Sequence, residues 1–245
     1  MDIMDDTLAA VHTLLERYHR AFATVPLPSL VISHHMYGCN RFSNRTVVDQ
    51  RVHQLRQDGI LMTLQISLPG QSVSALILTN DYIAFMLEKS KRLRAARMFA
   101  KILKRVSMKS SISKSDILAE MRQEFVSRGR KPPSDETLSK DIVHLVQMGF
   151  LITTIELTIE RYTFTLPRLG ALKVALYNGR RTIKVLLKRA QYQEMTQHDL
   201  VKRKVKGSPF NMEYHILEMT HTGLLERVRT STSYLLKYID PKPNA

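Results

Sequence analysis

Residues 145–151 read LVQMGFL, and the same shape occurs twice more in the chain, as LRQDGIL at 55–61 and MTHTGLL at 219–225. Each copy has a large apolar residue, three spacers, a glycine and then two large apolar residues. Glycine enters the left-handed backbone region at the least steric cost, so it is the favoured residue just past a helix. The apolar pair that follows starts an extended segment. The pattern therefore predicts a helix stop followed directly by a strand, three times over.

Working outward from each glycine gives the same order. TVVDQRVHQLRQ (46–57) places Val48, Val52 and Leu55 on one helical face. ILMTLQI (60–66) and SALILT (74–79) read as strands, with Pro69-Gly70 in the loop between them. In the second copy Ser134 is the expected N-cap, with Asp135 and Glu136 in the first turn of SDETLSKDIVHLVQ. FLITTIEL and ERYTFTL then pair as a hairpin. In the third, Ser208-Pro209 opens FNMEYHILEMTH, and LLERVRT pairs with SYLLKYI. Helix, glycine, strand, loop, strand is the back half of a winged helix.

The front halves are also present, as helical periodicity over 7–22, over 91–106 and 113–126, and over 169–196. The glycines lie 90 and 74 residues apart, a fitting length for such a domain and its connector. The expected fold is mainly α with small β-hairpins, an α+β class of three tandem winged-helix domains. Their expected extents are 1–88 (N-terminal helix and first winged helix), 89–167 (second) and 168–245 (third).

The 245 residues carry 37 Lys and Arg against 22 Asp and Glu, a net charge of +15. The excess is concentrated. Residues 89–109 hold nine basic side chains and no acidic one, and residues 171–206 hold ten against Glu194 and Asp199. A nearly neutral body with two positive segments suggests a polyanionic partner. Solvated helix faces are the plain alternative.

The chemistry of catalysis is missing from the sequence. There is no G-x-G, no G-K-S/T phosphate loop, no H-R-D or D-F-G, no H-E-x-x-H and no G-x-S-x-G. Phosphoryl transfer needs metal-binding carboxylates and a phosphate cradle, and neither is visible. His34-His35 is the only close histidine pair; on an extended segment the two would face opposite ways and chelate poorly. Cys39, the single cysteine, reads as an inert, partly buried thiol. The chain reads as a non-enzyme with no cofactor and no metal. Its first 25 residues carry Asp2, Asp5, Asp6 and Glu16 and do not read as a secretory signal. No run is apolar enough to span a membrane.

Residues 169–191 carry the most specific charge pattern. On a helix, Lys173, Arg180, Lys184 and Lys188 fall within roughly 80° of arc with Tyr177 among them, beside an apolar stripe of Leu172, Leu176, Ile183, Leu187 and Ala190. Arg181 and Arg189 broaden this ladder, and Lys202, Arg203, Lys204 and Lys206 follow in a basic loop. Such a face suits phosphate contacts, which position a protein without reading sequence. No acidic residue lies at helical spacing to neutralise the ladder, so its charges are expected to repel unless an anion sits there. In the second segment Leu93, Ala96, Phe99, Ala100, Leu103 and Val106 form the expected core stripe, while Arg94, Arg97, Lys101, Lys104 and Arg105 face outward. That helix could equally meet an acidic protein surface.

SNRTVVDQRVHQLRQDGIL (43–61) with SALILTNDYIAFML (74–87), and GALKVALYNGRRTIKVLLKRAQYQEM (170–195) with MEYHILEMTHTGLLERV and STSYLLKY, resemble the serine/threonine-protein kinase 19 family. The likeness covers most of residues 28–238 and is strongest at its two ends. The resemblance implies three tandem winged helices that bind nucleic acid, without kinase activity, in the nucleus. It also implies a role in transcription-coupled nucleotide excision repair beside stalled RNA polymerase II and TFIIH. The implied partners are double-stranded DNA, with RNA, single-stranded DNA and a second copy of the chain left open. The alternative is a protein–protein adaptor that docks on polymerase or helicase subunits without touching DNA. The family's basic positions fall on Arg180, Lys188, Arg189, Arg203 and Lys204; Gln191 stands where a further basic residue is expected.

Overall fold

A computed structural model describes residues 6–38, 45–68, 71–91, 93–109, 111–156, 159–231 and 233–240. It is an α+β structure. Helices alternate with three antiparallel sheets of three strands among the described residues. In the first unit α1 (Asp6–Thr24) leads through β1 (Val31–Ile32), α2 (Ser33–Gly38) and α3 (Arg45–Gln57) to the hairpin β2 (Leu61–Leu68) and β3 (Gln71–Leu78). A connecting helix α4 (Thr79–Lys89) follows. The second unit is α5 (Arg94–Val106), β4 (Ser111–Ser113), α6 (Lys114–Ser127), α7 (Asp135–Gln147), β5 (Leu151–Glu156) and β6 (Ile159–Phe164). The third is α8 (Leu169–Arg189), β7 (Glu194–Thr196), α9 (Gln197–Val201), α10 (Met212–His221), β8 (Leu225–Arg229) and β9 (Tyr234–Tyr238). The sheet orders are β1-β3-β2, β4-β6-β5 and β7-β9-β8, so the last strand of each unit is central every time.

The three glycines are where the repeat places them. Gly59, Gly149 and Gly223 have φ of +68°, +78° and +74°, each between a helix and a strand. The bonding around them explains the spacing of the motif. The amide after each glycine donates to the carbonyl of the motif's first apolar residue: Ile60 to Leu55 (2.9 Å), Phe150 to Leu145 (3.0 Å) and Leu224 to Met219 (2.9 Å). The carbonyls of Ile60, Phe150 and Leu224 then accept from Thr79, Thr165 and Ile239, just beyond the central strands. One backbone connection thus closes a helix and starts a sheet in all three units. Ser134 caps α7 as expected, accepting from the Thr137 amide.

Several expectations need correction. His34 and His35 lie in helix α2, not in an extended segment. Helix α10 begins at Met212 rather than at Ser208-Pro209, capped by Asn211, whose side chain accepts from the Tyr214 amide. Leu93 is 53% exposed; it precedes the first turn of α5, so the periodicity of that helix does not bury it. Cys39 and the Pro69-Gly70 loop lie outside the described residues.

One hydrophobic core runs from Ala10 to Tyr214, and a smaller one holds Ile183, Leu187, Leu200, Met212, Ile216, Met219, Leu225 and Leu236. The units are therefore packed on one another. The buried Tyr82 hydroxyl lies 3.1 Å and 2.9 Å from the carbonyls of Phe150 and Thr165 and donates between them, joining α4 to the second sheet. The first unit meets the third through rings. Tyr214 is edge-on to Tyr18 (4.7 Å between centroids) and to His35 (4.5 Å), and stacks on Phe210 at 4.2 Å. As a result α10 lies between α8 and α2.

Histidines at this junction make stability depend on pH. Burial first, then the nearby His221, His34, His215 and Arg17, hold buried His35 down at about 3. Burial holds His215 down at about 4. Unfolded histidines titrate near 6.5. As pH falls below that value the unfolded chain takes up protons that the folded chain does not, so stability is lost towards acid. The expected slope is about 1.4 kcal/mol per pH unit for each fully titrated histidine. Urea midpoints measured from pH 7.5 down to pH 5 should fall, and His35→Phe should remove that residue's share of the slope.

Candidate nucleic-acid interface

Helix α8 is placed by its apolar side. Leu169, Leu172, Leu176, Ile183 and Leu187 are buried. Gly179 is buried too, where α8 crosses α10: a Cβ added there would lie 2.1 Å from Nδ1 of His215. The loop after α9 is tied to the middle of α8, because the Asn178 side chain donates to the Gly207 carbonyl at 2.9 Å. This bond brings the basic loop at 202–206 alongside the basic helix.

The ladder is not a free cationic face, and here the sequence expectation is corrected. Arg180 turns to the edge of the core and pairs with Glu218 of α10, with side-chain exposures of 16% and 0%. Burial lifts the Glu218 carboxyl above its usual range, with the Arg180 hydrogen bond and charge opposing. Lys184 and Lys188 both reach Asp240 just past β9, at 3.0 Å and 2.9 Å, and both lie over the Tyr238 ring. Hydrogen bonds from Lys188 and Lys184 hold the Asp240 carboxyl below its ordinary value. Lys202 faces Asp199 at 3.6 Å. The anions that quiet the ladder come from residues 38 to 56 positions away in sequence or, for Lys202, from α9, and helical spacing within α8 does not show them.

What remains is a different set. Arg181, Arg189, Arg203, Lys204 and Lys206 are exposed, Lys173 is half-buried, and none has an acidic partner among the described residues. Two cations that sequence reasoning missed join the third unit. Arg227 and Arg229 are exposed on β8, and Arg227 lies 3.5 Å over the Tyr234 ring. Their alternation in LERVR, two residues apart and hence on one side of a strand, was the available signal.

The other basic helix is answered in part within its own unit: Arg94 and Arg105 have acidic partners, whereas Arg97, Lys101 and Lys104 have none among the described residues. Arg94 faces Asp141 (3.4 Å), Arg105 holds Glu120 (2.8 Å) and Glu124 (3.2 Å), and Lys109 holds Asp116 (3.1 Å). Among the described residues no group of His, Cys, Asp and Glu is placed to hold a metal ion, and no helix is long and apolar enough to cross a membrane.

Comparison with known proteins points the same way as the repeat. The family model for the inactive serine-threonine protein kinase 19 matches residues 15–232. A protein of Xenopus laevis named winged helix repair factor 1 is 25% identical over 243 residues, covering 96% of this chain and 85% of its own. A Dictyostelium discoideum protein of the same name is 30% identical over 98 residues, covering 40% of this chain and 24% of its own.

Proposed function

Since the chain belongs to the inactive serine-threonine protein kinase 19 family, we propose that it is a non-enzymatic nuclear protein of three tandem winged helices. It binds double-stranded DNA through the phosphate backbone and acts as a scaffold in DNA repair. Each unit has the winged-helix order of helix, short strand, two helices and hairpin, with the last strand central. The domains run 1–88, 89–167 and 168–245. The repair role follows the name of the Xenopus relative, and placement beside RNA polymerase II and TFIIH follows the resemblance of the sequence.

The observation that carries the reading is the set of unpaired cations on the third unit: Arg181 and Arg189 of α8 with Arg203, Lys204 and Lys206 of the tethered loop. Backbone neutralisation needs concentrated unpaired charge, and these side chains supply it. Arg180, Lys184 and Lys188 have intramolecular anions and contribute less. A second reading has one observation in its favour. Helix α10 stands where a winged helix carries its recognition helix, and α2 covers it, with Tyr214 and His215 buried at the junction. It is poorly placed to enter a major groove, which favours docking on protein subunits.

Arg181→Glu, Arg203→Glu and Lys204→Glu combined should weaken duplex DNA binding by at least about tenfold, since each charge-assisted contact is worth roughly 1 kcal/mol or more. The loss should be equal for unrelated sequences, as phosphates carry no base information. Thermal stability should hardly change, because all three side chains are exposed. Fluorescence anisotropy with two unrelated duplexes checks this. Unchanged affinity, or loss for only one duplex, refutes the assignment.

A further inference from the structure

The second unit carries a groove that the DNA reading leaves unused. It lies between the end of α4, the outer face of α5 and the end of α6, and has a volume of about 530 Å³. That is within the range of about 300–1,000 Å³ typical of ligand sites. Its floor is apolar: Leu87, Met98, Ala100 and Phe125. Its rim is basic: Arg94, Arg97, Lys101 and Arg130. No acidic residue lines it. Arg97, Lys101 and Arg130 have no acidic partner among the described residues, and Arg94 has Asp141 at 3.4 Å.

We infer that this groove is a docking site for a short acidic amphipathic segment of a partner protein, with its apolar side chains on the floor and its carboxylates against the rim. Charge complementarity decides the occupant. Arg97 and Lys101 are four residues apart on one helical face, where like charges repel until an anion lies between them. Duplex DNA offers anions to the rim but only hydrated phosphate and sugar to the floor. An amphipathic helix offers both, with apolar anchors at i and i+4 and acidic residues beside them. The groove belongs to α4, α5 and α6, whereas the DNA contacts proposed above belong to α8 and its loop, so the two surfaces can be tested apart.

The test uses the full chain and a fluorescent synthetic helical peptide with Leu and Phe at i and i+4 among glutamates. Saturable binding that weakens with salt is expected, with the Met98 methyl resonance shifting on titration. Arg97→Glu with Lys101→Glu should weaken the peptide at least tenfold. Both side chains are exposed, so the variant should keep its circular dichroism and its duplex DNA affinity. A peptide with lysines in place of the glutamates should not bind. The inference is overturned if the acidic peptide does not saturate, if the double variant binds it normally, or if Met98 does not shift. It is also overturned if a single-stranded oligonucleotide shifts Met98 and displaces the peptide, which would make the groove a nucleic-acid site.

Discussion

Gly179→Ala is expected to destabilise the third unit, although helix propensity alone argues the opposite. A mid-helix glycine costs about 1 kcal/mol relative to alanine, so the replacement would normally help a helix of this length. Here the new Cβ would lie 2.1, 2.3 and 2.4 Å from Nδ1, Cε1 and Cγ of His215. The ring cannot swing aside cheaply: it is fully buried, its Nε2 is hydrogen-bonded to Ser208 Oγ at 2.8 Å, and Tyr214 and Phe210 stand beside it. Overpacking of this kind costs typically about 1–3 kcal/mol and occasionally more, which exceeds the propensity gain. Gly179→Val should be worse. Urea unfolding checks the direction, and the double variant Gly179→Ala, His215→Ala should lose less than the two single changes added together, because the clash is then gone. A stabilised Gly179→Ala protein would contradict the α8–α10 crossing.

Arg180→Glu should cost more still. The substitution places a second carboxylate against Glu218, whose side chain has no exposure. Breaking a buried pair by removing one partner costs about 3–5 kcal/mol, and reversal adds repulsion. Since burial already lifts the Glu218 carboxyl, protonation is the available relief, so the variant should be relatively less unstable at low pH than at neutral pH. Arg180→Met with Glu218→Met should recover most of the stability, because an apolar pair needs no compensation. Thermal melts of the two variants beside the parent decide it. Loss of DNA binding by Arg180→Glu is therefore expected through the fold, not through a lost phosphate contact. A variant that melts like the parent would return Arg180 to the DNA-facing set.

The helix–glycine–strand junctions could be read from sequence because one local backbone connection repeats with its apolar residues at fixed offsets. The first strands β1, β4 and β7 could not: at two or three residues they are too short for any periodicity, and they exist because β3, β6 and β9 offer them an edge. Helix α4 was hidden behind a strand pattern that runs straight into it at Thr79. The site was legible as charge and not as pairing. Spacing along α8 puts Arg180, Lys184 and Lys188 on one face, but only folding brings Glu218 and Asp240 to them. Arg203 and Lys204 have their expected exposure, on a loop that the Asn178–Gly207 bond ties to α8.

The salt dependence of duplex DNA affinity tests the central claim most directly. Each neutralised phosphate contributes about −0.9 to the slope of log affinity against log salt. With Arg181, Arg189, Arg203, Lys204 and Lys206 all engaged, the slope should lie at about −4 to −5, and the variant reversed at Arg181, Arg203 and Lys204 should lose about three of those units. A slope near zero, or one that the reversal leaves unchanged, would contradict backbone binding by the third unit and leave docking on protein surfaces as the function of the chain.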